Sequence, residues 1–198
     1  MDPVAFFKQN KYVYVPQMIS GELTNFIYNY LILKSCTNVD FSQDTKKPRM
    51  DYLRYCYADL STETLSSVLC EKLSFITQKK LCPTYTYTRV YSRGDELPPH
   101  TDRPSCQYSV TINFGGDPWA ISFGQFNKDR NLNDGYSLLT SVTLKPGDGV
   151  VYMGEELIHW RNKFNGDHCA QAFLHYIDED GPYHPEWAFD KRPNIGYR

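Results

Sequence analysis

The sequence is short of several things, and each shortage excludes something. None of its six cysteines (Cys36, Cys56, Cys70, Cys82, Cys106, Cys169) falls in a C-x-x-C pair, which argues against a zinc ribbon or a dithiol redox motif. No stretch approaches the roughly 18 apolar residues that a membrane-spanning helix needs. Neither sign of charge is in excess: 21 Lys and Arg stand against 23 Asp and Glu, a formal net charge of −2. Nucleic-acid binders normally carry a basic surplus, so that class is disfavoured. The opening MDPVAFFKQN has an acid at Asp2 and lacks the apolar core of a secretory leader. We therefore expect a soluble, intracellular (cytoplasmic) protein with free thiols and no membrane partner. The chain shows no internal repeat, low-complexity tract or interdomain linker. At roughly 100–200 residues per domain, residues 1–198 are expected to form one domain.

What the chain does have is tyrosine. Aromatic residues make up 15% of the sequence, with Tyr at 16. Such a content suits strands and half-wet pockets better than helical bundles. Residues 12–15 (YVYV) read as a short strand. A helix follows, capped by Ser20 with Glu22 in its first turn. Leu23, Phe26, Ile27, Tyr30 and Leu31 share one face of it. A second helix is expected from a Ser61 cap, with Leu65, Val68, Leu69, Leu73 and Ile76 at helical spacing and Lys79 and Lys80 at its negative end. The polar stretch between them, FSQDTKKPRMD, reads as a loop. Beyond Pro83, β-branched and aromatic runs alternate with Gly and Pro punctuation. The expected strands include Tyr85–Ser92, Tyr108–Phe114, Trp119–Phe123, Tyr136–Leu144, Val150–Met153 and Cys169–Ile177, among seven or eight in all. The fold class is thus mainly β (α+β): a double-sheet barrel or jelly roll flanked by N-terminal helices. Residues 1–82 form the helical part, 83–178 the barrel core and 179–198 an irregular tail.

The chemistry concentrates in PPHTDRP. His100 and Asp102 stand two apart at the end of a strand-like segment, so both side chains point to one side of an extended backbone. His159 supplies a third candidate, in LKPGDGVVYMGEELIHWRNKF, where a turn leads through a short apolar strand to a histidine opening the next. Two histidines and one carboxylate in a barrel make the facial triad of non-haem Fe(II) oxygenases, which leaves three adjacent coordination positions open. Taken singly, each histidine also reads as an ordinary surface or core residue.

The run Tyr91–Asp102 (YSRGDELPPHTD) resembles the approach to the metal motif in prolyl-4-hydroxylase-like enzymes. LKPGDGVVYMG…HWR resembles the second half of the same barrel. On these motifs the chain resembles a small Fe(II)- and 2-oxoglutarate-dependent dioxygenase, over about residues 83–178. That resemblance implies a double-stranded β-helix, with Fe(II) on His100, Asp102 and His159. It implies 2-oxoglutarate and dioxygen as co-substrates, decarboxylation to succinate, and hydroxylation of an unactivated C–H bond. The carboxylate at Asp102 favours hydroxylation over halogenation. One departure from the family stands out. Its members place a basic residue about ten positions after the distal histidine to pair with the C5 carboxylate, a task that suits a two-pronged guanidinium. Here that region reads GDHCAQ. Arg161, two residues past His159, is the first substitute and Arg89 the second, with Lys163 and His168 behind them. Tyr91 is expected to touch 2-oxoglutarate, and Ser109 and Thr111 could bond it if their face is inward. Arg103 could meet an anionic substrate group at the mouth. Trp119 and Trp160 are expected in the core, and loops 37–57 and 125–134 as lids. The resemblance implies a peptide, protein or amino-acid substrate, for example a prolyl residue. Two other readings stay open: a cupin-type metalloenzyme without 2-oxoglutarate, and a jelly-roll binding module without chemistry. The sequence is silent on oligomeric state.

Overall fold

The computed structural model describes residues 2–37, 55–127 and 135–197. Three helices and ten strands run in chain order: α1 (Pro3–Asn10), β1 (Tyr12–Val15), α2 (Gly21–Thr37), β2 (Tyr55–Tyr57), α3 (Leu60–Thr77), β3 (Leu81–Ser92), β4 (Leu97–His100), β5 (Tyr108–Gly116), β6 (Ile121–Phe126), β7 (Tyr136–Val142), β8 (Gly149–Tyr152), β9 (Ile158–Arg161) and β10 (His168–Asp178). A six-stranded sheet has the order β1-β8-β5-β10-β3-β2, and a four-stranded sheet the order β4-β9-β6-β7. Every pairing is antiparallel. The two sheets face one another as a jelly roll, and they do not close into a continuous barrel.

The larger sheet has two unlike faces. Val110, Ile112 and Phe114 of β5, and Ala170, Ala172 and Leu174 of β10, pack with Ile27, Leu31, Leu69 and Leu73 of the helices as the main core. Neighbours of opposite parity point between the sheets. There the side chains are polar or aromatic, as at Tyr85, Tyr87 and Arg89 on β3. Strand period two thus sorts an aliphatic layer from a functional one.

Local signals explain the helices, with three corrections. Asp2 caps α1, accepting from Val4 N at 3.0 Å ahead of Pro3, so the opening residues form a helix the hydrophobic pattern did not announce. The cap of α3 is Asp59 rather than Ser61; its carboxylate accepts from Ser61 N at 2.9 Å and from Ser61 Oγ. Lys79 and Lys80 lie past the end of that helix and pair with Asp178 and Glu179. The apolar stripes are also narrower than their spacing suggests. Phe26 on α2 and Val68 on α3 are exposed, 66% and 70%, while Ile27, Leu31, Leu69 and Leu73 are buried. The helices present a strip, not a half-cylinder, to the sheet.

Strand bounds shift too. β3 starts at Leu81, because Pro83 is tolerated opposite an irregularity in β10. β2 is an additional strand, and β4 is the strand-like segment that ends at His100. β1, the strand expected at 12–15, and β2 form the two edges of the larger sheet. Most of the two expected lid loops lies outside the described residues. The tail crosses the sandwich: Arg192 forks onto Glu63 (Nη2–Oε1 2.6 Å) and donates to Thr84 O. No disulfide joins the described cysteines. No described helix is long and apolar enough to cross a membrane.

Candidate metal centre

β4 and β9 lie side by side with His100 directly opposite His159. The chain leaves β4, and Asp102 N bonds back to Gly154 O at 2.8 Å, which turns the carboxylate toward the pair. Asp102 Oδ1 lies 3.6 Å from Nε2 of His100 and 3.6 Å from Nε2 of His159. The three ligand atoms fall within 4.8 Å of one another. Both imidazoles are held from behind. His100 Nδ1 donates to Pro98 O at 2.8 Å and His159 Nδ1 to Leu157 O at 2.9 Å. A backbone carbonyl only accepts, so the proton sits on Nδ1 and the Nε2 lone pair faces Asp102. That is the tautomer of a metal ligand, fixed by the fold.

The electrostatics agree. Burial works to raise the Asp102 pKa, but hydrogen bonding to the two histidines overcomes it and holds the carboxyl well below its ordinary range. The same charge raises the His100 pKa against the effect of burial. The centre attracts positive charge, and a proton and a divalent cation compete for the same lone pairs. Gly154 makes the packing feasible. A Cβ there would stand 2.3 Å from Asp102 Oδ2 and 2.8 Å from Ser109 Oγ.

The triad opens into a cavity of about 270 Å³ between the sheets, walled by Tyr85, Tyr87, Arg89 and Tyr91 of β3, Phe173 and His175 of β10, and Tyr152, Ile121 and Leu97. Arg89 and Tyr91 therefore share the cavity with the triad. Arg89 pairs with Asp95 at 3.3 Å, stacks on Tyr91 at 4.5 Å, and keeps a buried Nε without a partner. Burial pushes the Tyr91 hydroxyl up to about 12.

Arg161 is the strangest residue of the site. It is 2% exposed, yet no carboxylate of the described residues pairs with it. Nη1 donates to Trp119 O at 2.7 Å, and the guanidinium lies 4.9 Å from the Trp119 ring. Nε and Nη2 have no partner. It is not part of the cavity wall itself but adjoins Tyr91 and Tyr152, which are. Burial lowers its pKa. A buried cation with two idle donors is costly unless an anion completes it.

Other sequence candidates land elsewhere. Ser109 bonds Asp102 Oδ2 at 3.1 Å and is not among the cavity walls. Thr111 lies 3.5 Å from the Tyr152 hydroxyl. His168 is engaged by Tyr28 on α2 at 2.6 Å, and Lys163 is exposed. Arg103 pairs with Asp190 of the tail at 2.9 Å over the Tyr85 ring. Trp119 packs against Tyr91 and Phe164 in the core, whereas Trp160 is half-buried beside Tyr136. Tyr108 and Tyr176, which the sequence places with the strand tyrosines around the site, belong instead to the helix-side core.

Three participants, Phe173, His175 and Gly154, were not singled out from sequence, and Tyr152 is expected from it only as one of the strand tyrosines around the site. Tyr152 is fully buried, 5.0 Å from the His159 ring. Phe173 and His175 share the inward parity of β10, opposite to Leu174 and Tyr176, and that alternation was the available signal. Gly154 carries no signal beyond its place in YMGEEL. A second cluster, Asp102, Cys106 and His175, also gathers within 4.8 Å. There burial pushes the Cys106 thiol up to about 12, which makes it a poor ligand.

No protein-family model matches the chain, and no curated protein does. Solved structures do match. The epimerase SnoN, in complex with Fe3+, α-ketoglutarate and nogalamycin RO, superposes with a TM-score of 0.67 at 11% identity, over 98% of this chain and 90% of SnoN. EctD from S. alaskensis, with 2-oxoglutarate and 5-hydroxyectoine, gives 0.66 at 13% identity, over 98% and 86%. A Pseudomonas putida prolyl-4-hydroxylase gives 0.61 at 11% identity, over 90% and 99%. The chain thus carries the double-stranded β-helix fold of these 2-oxoglutarate-dependent non-haem iron enzymes.

Proposed function

We propose that the protein is an Fe(II)- and 2-oxoglutarate-dependent oxygenase that hydroxylates an unactivated C–H bond and yields succinate. The observation that carries this reading is the convergence of His100 Nε2, His159 Nε2 and Asp102 Oδ1 on one point, each imidazole fixed in its ligating tautomer. Nitrogen and oxygen donors without thiolate suit Fe(II), and three protein ligands leave room for a chelating co-substrate and dioxygen. The iron supplies dioxygen activation when bound, coupled to decarboxylation of 2-oxoglutarate.

The chain's own residues do the rest. Arg161 meets the C5 carboxylate of 2-oxoglutarate, because its Nε and Nη2 are buried, idle and two residues along the strand from His159. Tyr91 and Tyr152 line the path between them and keep water from it. Arg89, already half-neutralised by Asp95, stands at the substrate side. With the walls Tyr85, Tyr87 and Phe173 it suits a compact substrate bearing a carboxylate, such as a free amino acid or a prolyl group near a chain end. The test is direct. Anaerobic protein is given Fe(II) and 2-oxoglutarate, oxygen is admitted, and succinate is measured. Turnover in the wild type and none in His100→Ala or Asp102→Ala is expected. Full turnover in either variant, or none in the wild type with Fe(II) bound, defeats the reading.

A further inference from the structure

We propose that His175 and Ser109 are positioning residues for Asp102: His175 Nδ1–H donates to Ser109 Oγ, Ser109 donates to Asp102 Oδ2, and the carboxylate is left to meet the metal through Oδ1 alone. This rests on the oxygenase reading above. Ser109 Oγ has three neighbours: His175 Nδ1 at 2.9 Å, Asp102 Oδ2 at 3.1 Å and Cys106 O at 3.2 Å. A hydroxyl has one proton to give, and two of these neighbours can only accept. The charged carboxylate is the stronger acceptor and takes it. The imidazole must then donate to Oγ, which sets the His175 tautomer and leaves its Nε2 a lone pair in a residue that lines the cavity.

The fold enforces the relay. Ser109 and His175 are direct cross-strand partners on β5 and β10, both fully inside the sandwich. Gly154 borders the third side, where a Cβ would stand 2.3 Å from Oδ2, so glycine leaves the carboxylate its place and Ser109 fixes it there. The consequence is a coordination count. A metal held by two imidazoles and one carboxylate oxygen would keep room for a chelating co-substrate and dioxygen. A two-oxygen carboxylate would take part of that room. The Asp102–Cys106–His175 cluster is better explained this way than as a second metal site, since Ser109 Oγ sits among all three residues and bonds Asp102 and His175.

The test compares Ser109→Ala and His175→Leu, which break the relay, with His175→Asn, whose amide can still donate to Ser109. Calorimetry on Mn(II)-loaded protein reads 2-oxoglutarate affinity, and titration with Co(II) reads the metal. The expected result is a loss of 2-oxoglutarate affinity of about tenfold or more in the first two. Co(II) affinity changes less, and His175→Asn recovers most of the loss. Both affinities within about twofold of wild type in every variant, or equal losses in His175→Asn and His175→Leu, overturn the relay. The Co(II) visible spectrum reads coordination number with no 2-oxoglutarate present. Wild-type protein that binds Co(II) but no 2-oxoglutarate would sink the oxygenase reading alone. The relay then stands on a Ser109→Ala spectrum that differs from wild type, and falls if the two are identical.

Discussion

At the residue scale, the site spends stability for function in ways single substitutions expose. Arg161 is a buried cation with idle donors. Arg161→Met should weaken 2-oxoglutarate binding by at least about tenfold, yet leave the melting temperature of the ligand-free protein unchanged or higher. Replacing a buried, unpaired charge by an apolar side chain of similar length is neutral or stabilising. A clear fall in thermal stability with intact 2-oxoglutarate affinity would show the guanidinium to be structural. Gly154→Ala probes the opposite economy. A Cβ 2.3 Å from Asp102 Oδ2 must push the carboxylate aside, so Co(II) affinity should drop by roughly 10–100-fold. A circular dichroism spectrum like the wild type's would confirm that the fold survives. The site was partly legible at this scale. The i, i+2 spacing marked His100 and Asp102 as a pair, although Asp102 lies past the end of β4, and His159 follows a recognisable turn and strand. His175 was hidden, because FLHYI looks like one more apolar strand until its parity is known.

At the element scale, helix α3 shows what holds the N-terminal layer. Asp59 caps it, accepts from Tyr30 at 2.9 Å and pairs with Lys34 of α2. One carboxylate therefore ties two helices. Burial opposes its charge, but Lys34, Ser61 and Tyr30 together lower its pKa. A group whose folded pKa lies below its unfolded value contributes stability above the unfolded pKa and loses it as pH falls through the folded one. The Asp59 contribution is thus complete at neutral pH and fades below about pH 4. Asp59→Ala should cost about 2–3 kcal/mol by urea denaturation at pH 7, combining a lost cap with a broken, partly buried pair. The difference from wild type should shrink toward acid pH. On the same helix, Leu73→Ala should cost about 2–5 kcal/mol and Val68→Ala within about 0.5. The sequence placed both on one stripe. Only the sheet beneath decides which of them is covered, since Leu73 is 0% exposed and Val68 70%.

For the whole molecule, the two sheets act as one clamp on the cavity, with the triad drawn from β4, β9 and the turn beyond β4. Anything that binds there binds only the folded state. At a hundredfold excess over its dissociation constant a ligand adds about 2.7 kcal/mol. For a chain of this size each kcal/mol shifts the midpoint by about 2–4 °C. Mn(II) with 2-oxoglutarate should therefore raise the melting temperature by about 5–10 °C, and a chelator should reverse it. Mn(II) alone should do less, and succinate in place of 2-oxoglutarate should add little because it lacks the keto oxygen. A rise of the same size with succinate would argue against chelation at the metal.

Short-range order in the chain was enough to determine the character of this protein. Alternation in YTYTRVY, the H-T-D pair and the turn before VVYMG are local features, and local sterics set them without help from distant residues. They gave a two-sheet β fold and three candidate ligands. Convergence was beyond them. His100 meets His159 because β4 and β9 pair. Ser109 reaches His175 because β5 and β10 pair in one register. Arg161 becomes a buried cation only once Trp119 and Tyr91 close over it. Those outcomes depend on which strand lies beside which and on what is excluded from water. Only the packed sandwich decides either.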